Sequence, residues 1–150
     1  MLEPASYELI TLVKRLAVRL HQSIDARLRP YDLARSQYVM LYHLDAQTNL
    51  SATELAERMT VEPATLSGIV DTLQAKGLVE RIERSDDKRR KDILLTNAGR
   101  ELLHKIPPPG PEVEAILLEH IGEEGIMLFK RLGYTMIDNL EKEQARKENE

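Results

Sequence analysis

Two helix starts placed close together in the middle of the chain constrain its fold more than any other feature. Ser51, Ala52, Thr53 and Glu54 read as a capping box, with Leu50 and Leu55 at the hydrophobic staple positions around it. The helix this opens is short and ends near Met59. Thr60 or Glu62 is then expected to cap a second helix with Pro63 in its first turn, where a missing amide loses no intrahelical bond. Leu66, Ile69, Val70 and Leu73 form one apolar stripe along that second helix, and Gly77 closes it. Two short helices joined by a tight corner make a helix-turn-helix.

Beyond Gly77 the period changes. Leu78 to Arg84 alternates apolar and charged residues, Ser85 to Arg90 is a polar turn, and Lys91 to Leu95 ends in three apolar residues. Two short antiparallel strands around a charged loop are the economical reading, and a hairpin this small has to pack on the helices. The expected fold is therefore mainly α with a small β-hairpin wing, a winged helix-turn-helix.

The flanks are helical. Leu9, Leu12, Val13, Leu16, Leu20, Ile24 and Leu28 recur at helical spacing until Pro30, which predicts a helix of about six turns. A second helix is expected over Arg35 to Asp45, with Tyr38 and Tyr42 near its apolar side. Thr96 caps another through Ile106, and the run Pro107, Pro108, Pro109, Gly110, Pro111 cannot continue an ordinary helix. Helical patterning resumes from Val113 to His120 and again from Glu123 to about Glu143. These outer helices carry more apolar surface than the central unit can bury, so a homodimer built from both ends of the chain follows. The expected organisation is one integrated domain: a dimerisation helix over 1–34, the DNA-binding region over 35–99 and dimerisation helices over 100–150.

Composition narrows the function. The 150 residues include no cysteine, which removes disulfides, zinc-thiolate sites and thiol nucleophiles. Met1 to Tyr7 lack a basic segment leading into an apolar stretch, and no run approaches the ~18 apolar residues of a membrane span, so a cytoplasmic protein with no membrane partner is expected. The net charge of −4 argues against nonspecific attraction to nucleic acid. Its distribution argues the other way: Lys76 to Lys91 holds seven basic residues against four acidic, whereas Asn97 to the end holds seven against eleven. Positive charge gathers at one place, as on a protein that touches double-stranded DNA with one surface.

On the helix from Pro63 to Lys76, the face opposite the apolar stripe shows Ala64, Gly68, Asp71 and Ala75, flanked by Thr65, Ser67 and Thr72. Small side chains permit close approach to a major groove, and their hydroxyls and methyls suit base edges or phosphates. Val61 to Ala75 contains no Arg or Lys, so this helix body has no bidentate reader of guanine. Specificity then rests on small contacts, the wing and DNA shape. In the wing, Asp87 and Arg89 lie on the same side of a short extended turn with Asp86 and Arg90 beside them, so an aspartate that fixes one arginine leaves its neighbours, Lys88 among them, to reach phosphates or the minor groove.

The segment "LSATELAERMTVEPATLSGIVDTLQAKGLVERIERSDDKRRKDILLTNAG", residues 50–99, resembles the MarR family of dimeric bacterial transcription regulators. The matching positions are Leu73, Gly77, Leu78 and Val79 at the turn, Asp87 and Arg89 in the wing, then Leu95, Thr96 and Gly99 opening the next helix. The resemblance implies a homodimer whose terminal helices interlock, with two recognition helices in successive major grooves of a pseudo-palindromic operator. It assigns Arg89 to the minor groove with Asp87 as its orienting partner, and it implies a repressor, often released by a small aromatic or phenolic effector. Arg19, His21, Tyr31, Tyr38 and Tyr42 lie on the elements that would line such a pocket. Two positions depart from the family pattern. Gly68 stands where arginine is common, and the proline run interrupts what is commonly one long helix.

Other function classes have less to stand on. His21, His43, His104 and His120 lack tight metal-ligand spacing, no glycine-rich phosphate loop follows a strand, and no serine sits in a nucleophile elbow, so no catalytic residue, resident metal or cofactor is expected. A winged helix used only for protein contacts or assembly remains open, as does a metal-responsive regulator assembled from distant His and Glu.

Overall fold

The computed structural model describes residues 4–47, 50–83 and 91–148. The elements are α1 (Pro4–Leu28), a 3-10 turn (Arg29–Tyr31), α2 (Arg35–Ala46), β1 (Leu50–Ser51), α3 (Ala52–Met59), α4 (Pro63–Ala75), β2 (Val79–Glu83), β3 (Lys91–Leu95), α5 (Asn97–Lys105), α6 (Pro109–Leu117) and α7 (Glu123–Glu148). The expected winged helix-turn-helix with helices at both ends is present. Three boundaries differ from expectation. A short strand at Leu50–Ser51 joins the hairpin, α6 begins at Pro109 rather than Val113, and α7 continues to Glu148. Proline near a helix start sacrifices no internal bond, which is why the Pro-rich run can open α6 while ending α5.

The chain divides into two compact units, Met1–Gly110 and Pro111–Glu150. In the first, Leu28, Met40, Leu41, Leu44, Leu50, Leu55, Leu66 and Leu73 are essentially inaccessible and form one core under the helix-turn-helix. The N-terminal half of α1 leaves Tyr7, Leu9, Ile10, Leu12 and Val13 exposed. In the second unit, α7 exposes Met127, Leu128, Phe129, Leu132, Ile137 and Leu140. Among the described residues, no helix is long and apolar enough to cross a membrane.

The start of α3 follows the capping-box expectation in every bond. The Ser51 Oγ accepts the Glu54 amide at 3.3 Å, and Glu54 Oε2 accepts the Ser51 amide at 2.8 Å and its hydroxyl at 2.6 Å. Leu50 and Leu55 on either side are fully buried. Ser51→Ala removes the hydroxyl that accepts the Glu54 amide and donates to Glu54 Oε2. We expect a loss of about 1 kcal/mol in urea unfolding, with the cooperativity of the transition unchanged.

The corner into α4 is built differently from expectation. Thr60 does not cap α4; it ends α3 in the left-handed conformation (φ 53°), its amide bonded back to Ala56 and Glu57. Glu62 occupies the cap position of α4 without a side-chain bond, and Pro63 follows it. The pre-set φ of the proline substitutes for the missing cap.

The sheet runs in the order β1-β3-β2, all antiparallel, with Leu50 opposite Ile93 and Val79 opposite Leu95. This explains how so short a hairpin is held: β1 adds a third strand on the side away from β2 and links the wing to the start of α3. At the base of the wing Thr96 fastens three neighbouring backbone groups. Its amide donates to Leu78 O at 3.1 Å, its hydroxyl donates to Gly77 O at 2.8 Å, and the same oxygen accepts the Gly99 amide at 3.0 Å. Gly77, at φ 71°, turns the chain out of α4 directly above this clamp. On the opposite flank, Asp45 of α2 accepts from Arg100 and lies 3.2 Å from His104 Nε2, tying α5 to the core.

Candidate nucleic-acid interface

The stripe predicted for α4 is the one that packs: Leu66, Ile69, Val70 and Leu73 are all buried. The opposite face is therefore outward. Ala64, Thr65, Ser67, Gly68, Asp71, Thr72 and Ala75 are all exposed. A Cβ added at Gly68 would meet nothing within 4 Å, so the absence of a side chain there answers to no internal packing need. The Thr72 hydroxyl donates to Gly68 O at 2.8 Å, which occupies its proton and leaves its lone pairs outward.

Sequence reasoning missed two basic residues that frame this helix. Arg81 of β2 places Nη2 at 2.6 Å from Asp71 Oδ1 and Nη1 at 2.6 Å from Gln74 Oε1. Its side chain is 28% exposed against 62% for Asp71, so the guanidinium lies between strand and helix and the carboxylate faces out. The recognition helix, which contains no cation of its own, thus acquires one from the wing strand. A signal existed: in a strand, Arg81 must share the face of the buried Val79 two residues before it. Ile82, the apolar neighbour, is turned out and 37% exposed. At the other end, Lys76 pairs with Asp32 at 2.9 Å, donates to Asp32 O and approaches Gln37 Oε1 at 3.4 Å. Asp32 adopts the left-handed conformation (φ 52°), which turns its carbonyl and carboxylate together toward α4.

A cleft of about 700 Å³ opens between α3 and α4, and Ser67, Pro63, Thr60 and Arg81 line it. A second, of about 710 Å³, lies between the end of α1, the start of α2 and Lys76. Neither is lined by Arg19, His21, Tyr31, Tyr38 or Tyr42. Arg19 bonds Gln22 along its own helix at 3.2 Å, and His21 is exposed. Tyr31 and Tyr38 pack against the core, whereas Tyr42 is 59% exposed. Burial, with Tyr42 adding to it, pushes the Tyr38 phenol above its ordinary value. The structure therefore does not gather these five side chains around either cleft. The wing residues Asp87, Lys88, Arg89 and Arg90 lie outside the described residues. Among the described residues, no three His, Asp or Glu side chains are grouped closely enough to hold a metal ion.

A sequence model of the MarR family matches residues 33–91, from just before α2 to the first residue of β3. The HTH-type transcriptional repressor YetL of Bacillus subtilis is 35% identical over 97 residues, which are 63% of this chain and 58% of that protein. The chain thus spans under two thirds of the length of that relative. Among solved structures, S. aureus MepR in its complex with DNA superposes with a TM-score of 0.80 at 25% identity, over 86% of this chain and 96% of that one. A mutant MarR from E. coli, complexed with operator DNA, gives a TM-score of 0.76 at 21% identity over 86% and 93% of the two chains, a likeness of fold. These likenesses agree with the capped α3, the small-faced α4 and the strand-supported hairpin: residues 33–91 match the MarR family of transcriptional regulators, and the fold around them is a winged helix-turn-helix.

Proposed function

We propose that the protein is a sequence-specific repressor that binds double-stranded DNA as a homodimer on a pseudo-palindromic operator and is released by a small effector. The observation that carries the DNA half is the outward face of α4, where Ala64, Thr65, Ser67, Gly68 and Thr72 present short side chains with nothing from the described chain laid over Gly68. A helix of this profile fits the width of a major groove and lets backbone and hydroxyl groups approach base edges. Both cations framing it, Arg81 and Lys76, are already paired with acids. The phosphate-neutralising charge is accordingly assigned to Lys88, Arg89 and Arg90, with Asp87 orienting Arg89.

The homodimer is supported by the apolar side chains left exposed on α1 and, separately, on α7. Runs of this kind on a helix are characteristic of surfaces that meet another chain. The dimerising role is assigned to 1–34 and 100–150, with 35–99 as the DNA-binding region. A regulator rather than an enzyme is the reading that the likeness to this family supports. Repression is supported by the likeness to the repressor YetL, and a dimer seated over a promoter would exclude polymerase without any further contact surface. The effector part rests on the repressor likeness alone, with a small aromatic or phenolic compound as the ligand class.

The test is selection of genomic fragments by the purified full chain at about 0.15 M salt, where nonspecific binding is weak, followed by footprinting. A protected site of two-fold symmetry near a promoter is the expected result, and its loss on adding an aromatic carboxylate or phenol would establish the effector. A folded dimer that enriches no fragment over bulk DNA would overturn the reading and leave a protein-contact module in its place.

A further inference from the structure

We propose that Asp71 reads a base: held by Arg81, its carboxylate accepts a hydrogen bond from the exocyclic amino group of a cytosine in the major groove. The inference rests on the DNA-binding reading above and adds to it the residue that sets specificity. Asp71 is the only charged side chain in α4, and it shares the outward face with Ala64, Gly68 and Ala75. All three neighbours end at or before Cβ, so the carboxylate is the longest side chain of the four. A recognition helix docked by this face meets DNA with Asp71 foremost.

An acid in that place is repelled by phosphates, and the structure contains the group that offsets it. Arg81 holds Oδ1 at 2.6 Å and is itself anchored on Gln74 at 2.6 Å, so the guanidinium cancels the charge and fixes the plane of the carboxylate. The side chain nevertheless stays 62% exposed, leaving its acceptor capacity open to solvent. An ionised carboxylate only accepts. In the major groove, guanine N7 and O6 and thymine O4 are also acceptors and repel it, adenine offers its N6 donor only beside the N7 acceptor, and the cytosine N4 amino group is the donor that Asp and Glu pair with. An ion pair serving only to fasten β2 to α4 would have no need to stand at the centre of the outward face, and a pair this exposed adds little to stability.

The test is selection from a randomised duplex library, at one salt concentration, by the full chain and by its Asp71→Asn and Asp71→Ala variants. Asparagine preserves the acceptor for Arg81, so the fold and dimer are retained and circular dichroism checks this. The unmodified protein is expected to favour cytosine at one position of each half-site by about tenfold. Asp71→Asn should exchange that preference for adenine, whose N6 and N7 match a carboxamide, and Asp71→Ala should lose it. Preferences at the other positions should stay as they were. Identical base profiles for all three proteins would overturn the proposal, as would a flattening of every position together, which is what a purely positioning ion pair produces. Failure of the unmodified chain to select any sequence is a separate result, because it removes the DNA-binding reading itself.

Discussion

Gly99→Ala is expected to lower the stability of the protein by about 3 kcal/mol, seen as a fall of about 6–12 °C in the melting temperature. The reason is a backbone contact. A Cβ on Gly99 would fall far inside van der Waals distance of the Leu78 carbonyl oxygen and 2.7 Å from Leu95 Cδ1. The leucine tip can rotate away, but the carbonyl cannot. It is held by the Thr96 amide at 3.1 Å, and the Thr96 hydroxyl is bonded to the neighbouring Gly77 carbonyl. Making room for one methyl group therefore means prising the first turn of α5 off the exit of the recognition helix. The Leu-Thr-x-x-Gly segment acquires a mechanical meaning here: threonine supplies the clamp and glycine the clearance. Operator affinity should fall in the same variant even below its melting temperature, because the clamp sits where α4 passes into the wing. Differential scanning calorimetry and binding at 20 °C would measure the two effects. A melting temperature within a degree of the parent would show that the close approach is not maintained in solution.

Gly68→Glu should separate binding from folding completely. The added Cβ meets no atom of the described chain within 4 Å, and glycine inside a helix costs about 0.8–1 kcal/mol relative to alanine. Any residue other than proline is thus expected to hold or raise the melting temperature, with Gly68→Ala giving a gain near the full amount. DNA binding should respond in the opposite sense. A carboxylate added one turn from Asp71 on the outward face, with no second arginine set against it among the described residues, places added negative charge against the duplex. Like charges brought together in an interface cost several kcal/mol, and we expect operator affinity to drop by at least about a hundredfold. Gly68→Ala should bind within a few-fold of the parent. If Gly68→Glu binds the operator normally, α4 does not enter the groove by this face.

The elements that could be read from the sequence are those whose causes are local. Ser51 and Glu54 cap a helix by bonds within one turn, and Leu66, Ile69, Val70 and Leu73 define a buried stripe through periodicity alone. Both were legible because an α-helix satisfies its backbone with near neighbours. The same logic laid out the opposite face of α4 correctly, residue by residue. It assigned Thr60 less well, since serine, threonine and acidic residues serve equally at helix starts and in turns, and only the φ of 53° decides which role is taken.

What lay beyond the sequence depends on strand register and on which distant residues meet. Arg81 belongs to the recognition surface because antiparallel pairing sets it opposite Ile93, on the packed face of the sheet, and turns Ile82 outward. A shift of one residue would have reversed the two, and a short run alternating charge and hydrophobicity permits either. Lys76 reaches Asp32 across more than forty residues of chain, a meeting arranged by the core packing of α1, α2 and α4. Leu50 and Ser51 form a strand only because β3 offers them an unpaired edge. Helical faces, caps and the winged plan were thus determined by residues close together in the chain. The charge that completes the reading surface was decided only by tertiary structure, because strand faces are assigned by partners and not by neighbours.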